Sequence, residues 1–206
     1  MDITDLSWSS SDPFSYQNMA QIKAPPDGSC FFHALLFAFY KPYQDRMQGD
    51  VPVSRKQIVK EFRFDLSVRL GENLDPDDAN TPIIYDTLSR GKLGDFAKEM
   101  PEYTLRSMQE ELNSNSPVDN VYNEFISNEL KKDIYILDNE KHDVYVTGND
   151  LDLLYKDRLS IVLLYSPGHY DLIGLRNNDN SISTFFNPDH PFIESIRNRL
   201  RILVKP

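Results

Sequence analysis

The feature that most constrains this chain is the run Cys30-Phe31-Phe32-His33-Ala34-Leu35-Leu36-Phe37-Ala38-Phe39-Tyr40. It is apolar on nearly every face of a helix, so it predicts a helix buried centrally rather than one laid along a surface. The run is entered from Pro25-Pro26-Asp27-Gly28, a strong turn signal, and stopped by Pro42. A second run, Leu159 to Tyr165, is β-branched, apolar and of strand length, which predicts a central strand. With 206 residues, 40% of them hydrophobic, the chain can bury both in one domain.

The other elements follow from local pattern. Residues 1–22 are polar, with isolated Trp8, Phe14 and Tyr16, and read as a loosely ordered arm pinned by its aromatics. Residues 23–206 read as the single folded domain. Ser54-Arg55-Lys56-Gln57 matches a capping box, after which Ile58, Phe62, Leu66 and Leu70 mark a helix stripe that Gly71 ends. Residues 71–82 read as loop, and helical pieces are expected over 84–88 and 105–112. Val121, Tyr122, Phe125, Ile126 and Leu130 define a helix running into a buried strand over 133–137, with a hairpin partner over 144–146. Strands are expected over 170–175 and 182–186, a short helix over 192–200 and a closing strand over 202–204.

Charge bounds the partners. Against 22 basic side chains stand 32 acidic ones, a net charge of -10. Such a surface repels nucleic acid and anionic lipid, whose binding depends on Lys and Arg, and attracts a basic protein partner. No apolar run approaches the ~20 residues that span a bilayer. The acidic, mixed start Met1-Asp2-Ile3-Thr4-Asp5-Leu6 is unlike a signal peptide. A single cysteine excludes an internal disulfide and points to a reducing, cytoplasmic compartment. No His-x-x-x-His or Cys-x-x-Cys occurs, so no metal and no cofactor is expected. Gly91-Lys92-Leu93-Gly94 lacks phosphate-loop spacing.

The lone cysteine stands where polar turn becomes apolar helix, in Asp27-Gly28-Ser29-Cys30. Free thiols usually pack in cores, but a packing cysteine does not need an Asp-Gly-Ser approach. At a helix N-terminus a thiol pKa falls from about 8.5 toward roughly 3.5–7.5. Such a thiolate is a nucleophile that alkylates readily near pH 6. Backbone amides at Gly28, Ser29 and Cys30 are then candidate oxyanion donors. Of the four histidines, His33 falls inside the buried helix, and His142 and His190 fall in loops. His169 differs, because Ser166-Pro167-Gly168 closes the central strand and His169 opens the next. His169 and Asp171 are two apart on that strand and share a face. Such a carboxylate holds an imidazole tautomer and stabilises its cation. Asp27 is the alternative acid, or else a turn aspartate bonding its own backbone.

These residues resemble the ovarian tumour (OTU) family of deubiquitinating cysteine proteases. The first block is Asp27-Gly28-Ser29-Cys30-Phe31-Phe32-His33-Ala34, with Ser29 where the family more often has Asn. The last is the strand Leu159 to Tyr165 leading into Gly168-His169-Tyr170-Asp171. The resemblance touches residues 24 to 175. It implies a papain-like α/β (α+β) fold, with a mainly antiparallel central sheet packed between helices. It also implies hydrolysis of the isopeptide bond after the C-terminal glycine of ubiquitin. Cys30 is then the nucleophile, His169 the general base, Asp171 the residue that orients it, and Asp27 a second member of the active centre. Gly28, Ser29 and Tyr170 border the substrate. The implied partners are ubiquitin or polyubiquitin chains, or related modifiers with the same Gly-Gly ending, met by a monomer. An OTU-like module that holds ubiquitin without cutting is the alternative.

Overall fold

The computed structural model describes residues 2–147 and 151–204. The chain opens with strands β1 (Ile3–Asp5) and β2 (Met19–Ile22). Helices α1 (Cys30–Phe39) and α2 (Lys41–Asp45) follow, then a small hairpin of β3 (Met47–Gln48) and β4 (Val51–Pro52). Next come α3 (Arg55–Leu70), α4 (Ile84–Gly91), α5 (Leu93–Phe96), α6 (Leu105–Leu112) and α7 (Tyr122–Leu130). The rest is β5 (Asp133–Asp138), β6 (Asp143–Val144), α8 (Leu151–Leu154), β7 (Ser160–Ser166), β8 (His169–Arg176), β9 (Ile182–Ser183) and α9 (Pro191–Leu203).

The main sheet runs β1-β2-β8-β7-β5-β6, with β9 also paired to β8. Among the described residues only β5 and β7 pair in parallel; the other neighbours are antiparallel. The sheet is buried on both faces, which explains why β5 and β7 read as unbroken apolar runs. Ile134, Ile136, Ile161, Leu163 and Leu172 face one core, shared with α1, α3, α6 and α7. Tyr135, Leu137, Val162, Leu164 and Ile173 face a second, with Phe14 and the α9 residues Phe192, Ile193, Ile196 and Leu200. Between these cores lies the mixed α+β architecture expected from the sequence, with β7 central.

Several local expectations are corrected. Residues 1–22 are not an arm: β1 and β2 extend the sheet from the edge of β8, in the register Gln21↔Ile173 and Ile22↔Leu172. Phe14 is buried against Phe192, and Trp8 stacks on His142. The polarity that hid this segment belongs to the exposed loop and edge strand around those anchors. Ser54 does precede α3 but makes no side-chain cap bond, and Gln57 reaches forward to Glu61 instead. The last helix continues through Leu203, absorbing the closing strand expected over 202–204. The strand expected over 182–186 is paired only at Ile182–Ser183. Among the described residues no helix is long and apolar enough to cross a membrane.

Because Phe14 lies in the second core, Phe14→Ala should cost about 3 kcal/mol of unfolding free energy, read from urea denaturation. A loose arm would give no change in midpoint.

Candidate functional site

The site forms where the first turn of α1 meets the start of β8. The Tyr170 N–H donates to Cys30 Sγ across 3.4 Å. Covalent geometry then places the His169 Cα within about 6 Å of the sulfur. Two segments far apart in sequence are thus side by side because α1, too apolar for a surface, packs on β8 and β7.

His169 Nε2 lies 2.9 Å from Asp171 Oδ1. The pair is asymmetric in exposure, with the imidazole 28% and the carboxylate 6% exposed. Asp171 also accepts from the Ala24 N–H at 2.7 Å through Oδ1 and from Gln21 Nε2 at 2.6 Å through Oδ2. Three donors fix this carboxylate, and with Nε2 committed to it, Nδ1 is the imidazole nitrogen left for another proton. Gln21 and Ala24 escaped the sequence reading. Gln21 is the diagonal neighbour of Asp171 across the β2–β8 ladder, a relation that needs the register.

Asp27, the alternative acid, is directed elsewhere. Its Oδ2 is 3.2 Å from His33 Nε2, and its Oδ1 accepts the Ser29 N–H at 3.1 Å. The second bond is the turn-forming role of an aspartate. His33 Nδ1 lies 2.6 Å from the Tyr43 hydroxyl. Burial pulls the His33 pKa below its ordinary value, against the opposing pull of Asp27. A neutral ring accepts from Tyr43 through Nδ1 and donates from Nε2 to Asp27. His142 and His190 are remote from this cluster: the first contacts Asp12 and Trp8, and the second accepts from the Phe192 N–H at the start of α9.

Ser29 also departs from expectation. It is buried, its hydroxyl accepts from Arg63 Nη1 at 2.8 Å, and its N–H is held by Asp27. The Cys30 N–H makes a 3.2 Å bond to the Asp27 carbonyl, and among the described residues the Gly28 N–H has no protein acceptor. Gly28 itself answers to packing, since a Cβ there would sit 1.7 Å from the Asn115 carbonyl oxygen.

A cleft of about 300 Å³ opens over the sulfur. Gly28, Cys30 and Phe31 line one side, Pro117 to Asn120 another, and Tyr145, Tyr165, Gly168 and Tyr170 the rest. Tyr170 packs edge-on to Phe31, and its hydroxyl donates to Asn120 Oδ1 at 3.3 Å. A larger groove of about 1010 Å³ lies by Trp8, Tyr16 and Arg176, but none of the residues lining it is a cysteine or a histidine.

Electrostatics at the sulfur correct the expected thiolate. Cys30 is only 4% exposed. Burial pushes its pKa up, with Asp171 and Asp27 adding in the same direction. The N–H groups of Tyr170 and Phe31 pull it down by less. Desolvation outweighs the helix start, so the resting sulfur is a protonated thiol.

The fold that carries these residues is similar to solved ones. The chain superposes on a solved OTU domain in complex with ubiquitin with a TM-score of 0.54 and 17% sequence identity, covering 91% of this chain and 85% of that one. A viral OTU domain protease from Taggert virus aligns at TM-score 0.47 and 18% identity, over 78% of this chain and 81% of that one. The OTU domain of OTUD1 aligns at 0.45 and 17%, over 76% and 86%. No protein-family model matches the sequence, and no curated protein matches it. The chain has the OTU-domain fold.

A protonated resting thiol predicts slow carboxamidomethylation of Cys30 at pH 6. The rate should climb only as pH passes the ordinary thiol range of about 8.5. Mass spectrometry of the single thiol reads it directly, and rapid labelling at pH 6 would contradict the burial argument.

Proposed function

We propose that this chain is a cysteine-type deubiquitinase of the OTU family that hydrolyses the isopeptide bond after the C-terminal glycine of ubiquitin. The observation that carries the reading is the His169–Asp171 pair, 2.9 Å apart, on the strand whose next N–H touches Cys30 Sγ at 3.4 Å. Support also comes from the fold, since the superposed OTU domain was solved in complex with ubiquitin.

In this reading His169 Nδ1 takes the Cys30 proton as the sulfur attacks the glycine carbonyl carbon. Asp171 holds the ring and stabilises the imidazolium. The oxyanion is met by the main-chain N–H of Gly28, which has no protein acceptor among the described residues, whereas that of Cys30 is held by the Asp27 carbonyl. His169 returns the proton to the departing lysine amine, leaving a thioester on Cys30. Water then adds to the thioester carbonyl with His169 as base, the C–S bond breaks, the Cys30 sulfur takes the proton back from His169, and the product carboxylate dissociates. The aromatic walls from Phe31, Tyr145, Tyr165 and Tyr170 suit a tail of two glycines, which carry no side chains to clash. The net charge of -10 favours a basic tail. One free cysteine suits a reducing compartment such as the cytosol.

Ubiquitin carrying a C-terminal electrophile should form a covalent adduct with the wild type and none with Cys30→Ala. Cys30→Ala and His169→Ala should abolish diubiquitin cleavage with the fold intact by circular dichroism. Asp171→Asn should retain a residue of activity, lowered about 10²-fold or more, because orientation rather than proton transfer is lost. Hydrolysis undiminished in Cys30→Ala would sink the assignment. Binding without turnover in the wild type would replace it with a non-cleaving ubiquitin-binding module.

A further inference from the structure

Arg63 is 1% exposed, in the middle of α3, with its guanidinium 4.5 Å from the Phe32 ring centre. Among the described residues no carboxylate hydrogen-bonds to it. Its five donors go instead to oxygens of two separate segments. Nε donates to the Leu112 carbonyl at 2.9 Å, and Nη2 to the carbonyls of Glu111 and Ser116, both at 2.8 Å. Nη1 donates to Ser29 Oγ at 2.8 Å and to the Gly28 carbonyl at 3.4 Å. Burial draws its pKa down to about 10, so it stays cationic at neutral pH.

The two segments are the two lips of the cleft. Gly28 and Ser29 lead into the sulfur. Leu112 and Ser116 bracket the start of the loop whose residues Pro117 to Asn120 form the facing wall. The Gly28–Asn115 approach brings the same lips into direct contact. A buried cation that hydrogen-bonds to no carboxylate among the described residues, with Glu111 and Asp27 acting on it only through their fields, is an expensive way to fill a core. A planar fork that reaches both lips at once is something only arginine supplies.

We propose that Arg63 is a positioning residue: it sets the spacing between the Gly28–Cys30 loop and the facing 116–120 wall and, through Ser29, the orientation of the Gly28–Ser29 peptide beside the sulfur. The proposal rests on the cysteine-hydrolase reading and adds a residue to it that touches no substrate. Lysine at this position keeps the charge but spans only one lip, and Ser29→Ala releases one bond while leaving the core filled.

The test is steady-state cleavage of a ubiquitin C-terminal substrate by wild type, Arg63→Lys, Ser29→Ala and the double variant. Each is normalised to the sites titrated by the ubiquitin electrophile. Arg63→Lys should lower kcat per titrated site about 10- to 100-fold, with KM changed by less than about threefold. Ser29→Ala should lower kcat less, and the double variant should fall short of the product of the two effects. A kcat per site within about twofold of wild type for Arg63→Lys, or fully multiplicative effects, would overturn the proposal. Should Arg63→Lys fail to fold, an unchanged kcat in folded Ser29→Ala overturns it alone. If the wild type processes no ubiquitin substrate, the functional reading fails separately. Cys30 alkylation then decides: several-fold faster labelling in folded Arg63→Lys or Ser29→Ala supports a sprung lip, and equal rates refute it.

Discussion

The constraint on which the rest depends is the burial of α1. A helix with Phe31, Phe32, Leu35 and Leu36 on its sides has no solvent face to offer. It is stable only when the sheet covers it on one side and α3 and its neighbours on the others. Once α1 lies on β8 and β7, its first residue meets the first residues of β8, and the sulfur lands beside the His169–Tyr170 peptide. The meeting of these groups is a consequence of hydrophobic packing. The order of interactions matters here: apolar burial fixes the approach, and hydrogen bonds then select the geometry.

The hydrogen bonds do this with few groups. One buried carboxylate, Asp171, gathers an imidazole, a backbone amide and a glutamine amide, so the His169 ring is held by a group tied to β2. The loop before the sulfur is fixed from the other side by Asp27, which folds back onto Ser29 and onto His33. Two aspartates close to one cysteine are therefore not interchangeable. One faces the imidazole of the strand and the other shapes the turn. Burial, with their shared negative field added to it, raises the thiol pKa.

Much of this was legible locally. The Cys30 helix, the Leu159 to Tyr165 strand, the α7–β5 unit and the His169/Asp171 spacing all follow from periodicity and turn chemistry. The failures share a cause. Residues 1–22 look like an arm because the pairing of β2 with β8 joins segments that no short-range pattern links. The closing strand over 202–204 was absorbed because helical bonds already running through α9 outweigh the β preference of Ile202 and Val204. Ser29 read as a substrate contact because nothing local reveals an arginine arriving from α3. The thiol read as acidic because a helix start is visible in sequence and the dryness around it is not.

The sequence by itself determined which groups are present and which of them are local neighbours: a thiol at the entrance of an apolar helix, and an imidazole and a carboxylate two apart on one strand. Local sterics and the periods of helix and strand suffice for that. Only the tertiary structure decided which acid serves which histidine, which amides remain free, how wet the sulfur is, and that Gln21, Ala24 and Arg63 belong to the same neighbourhood. Those are properties of distance and solvent exclusion among segments far apart along the chain, and they come into being only when the two cores close on either side of the sheet.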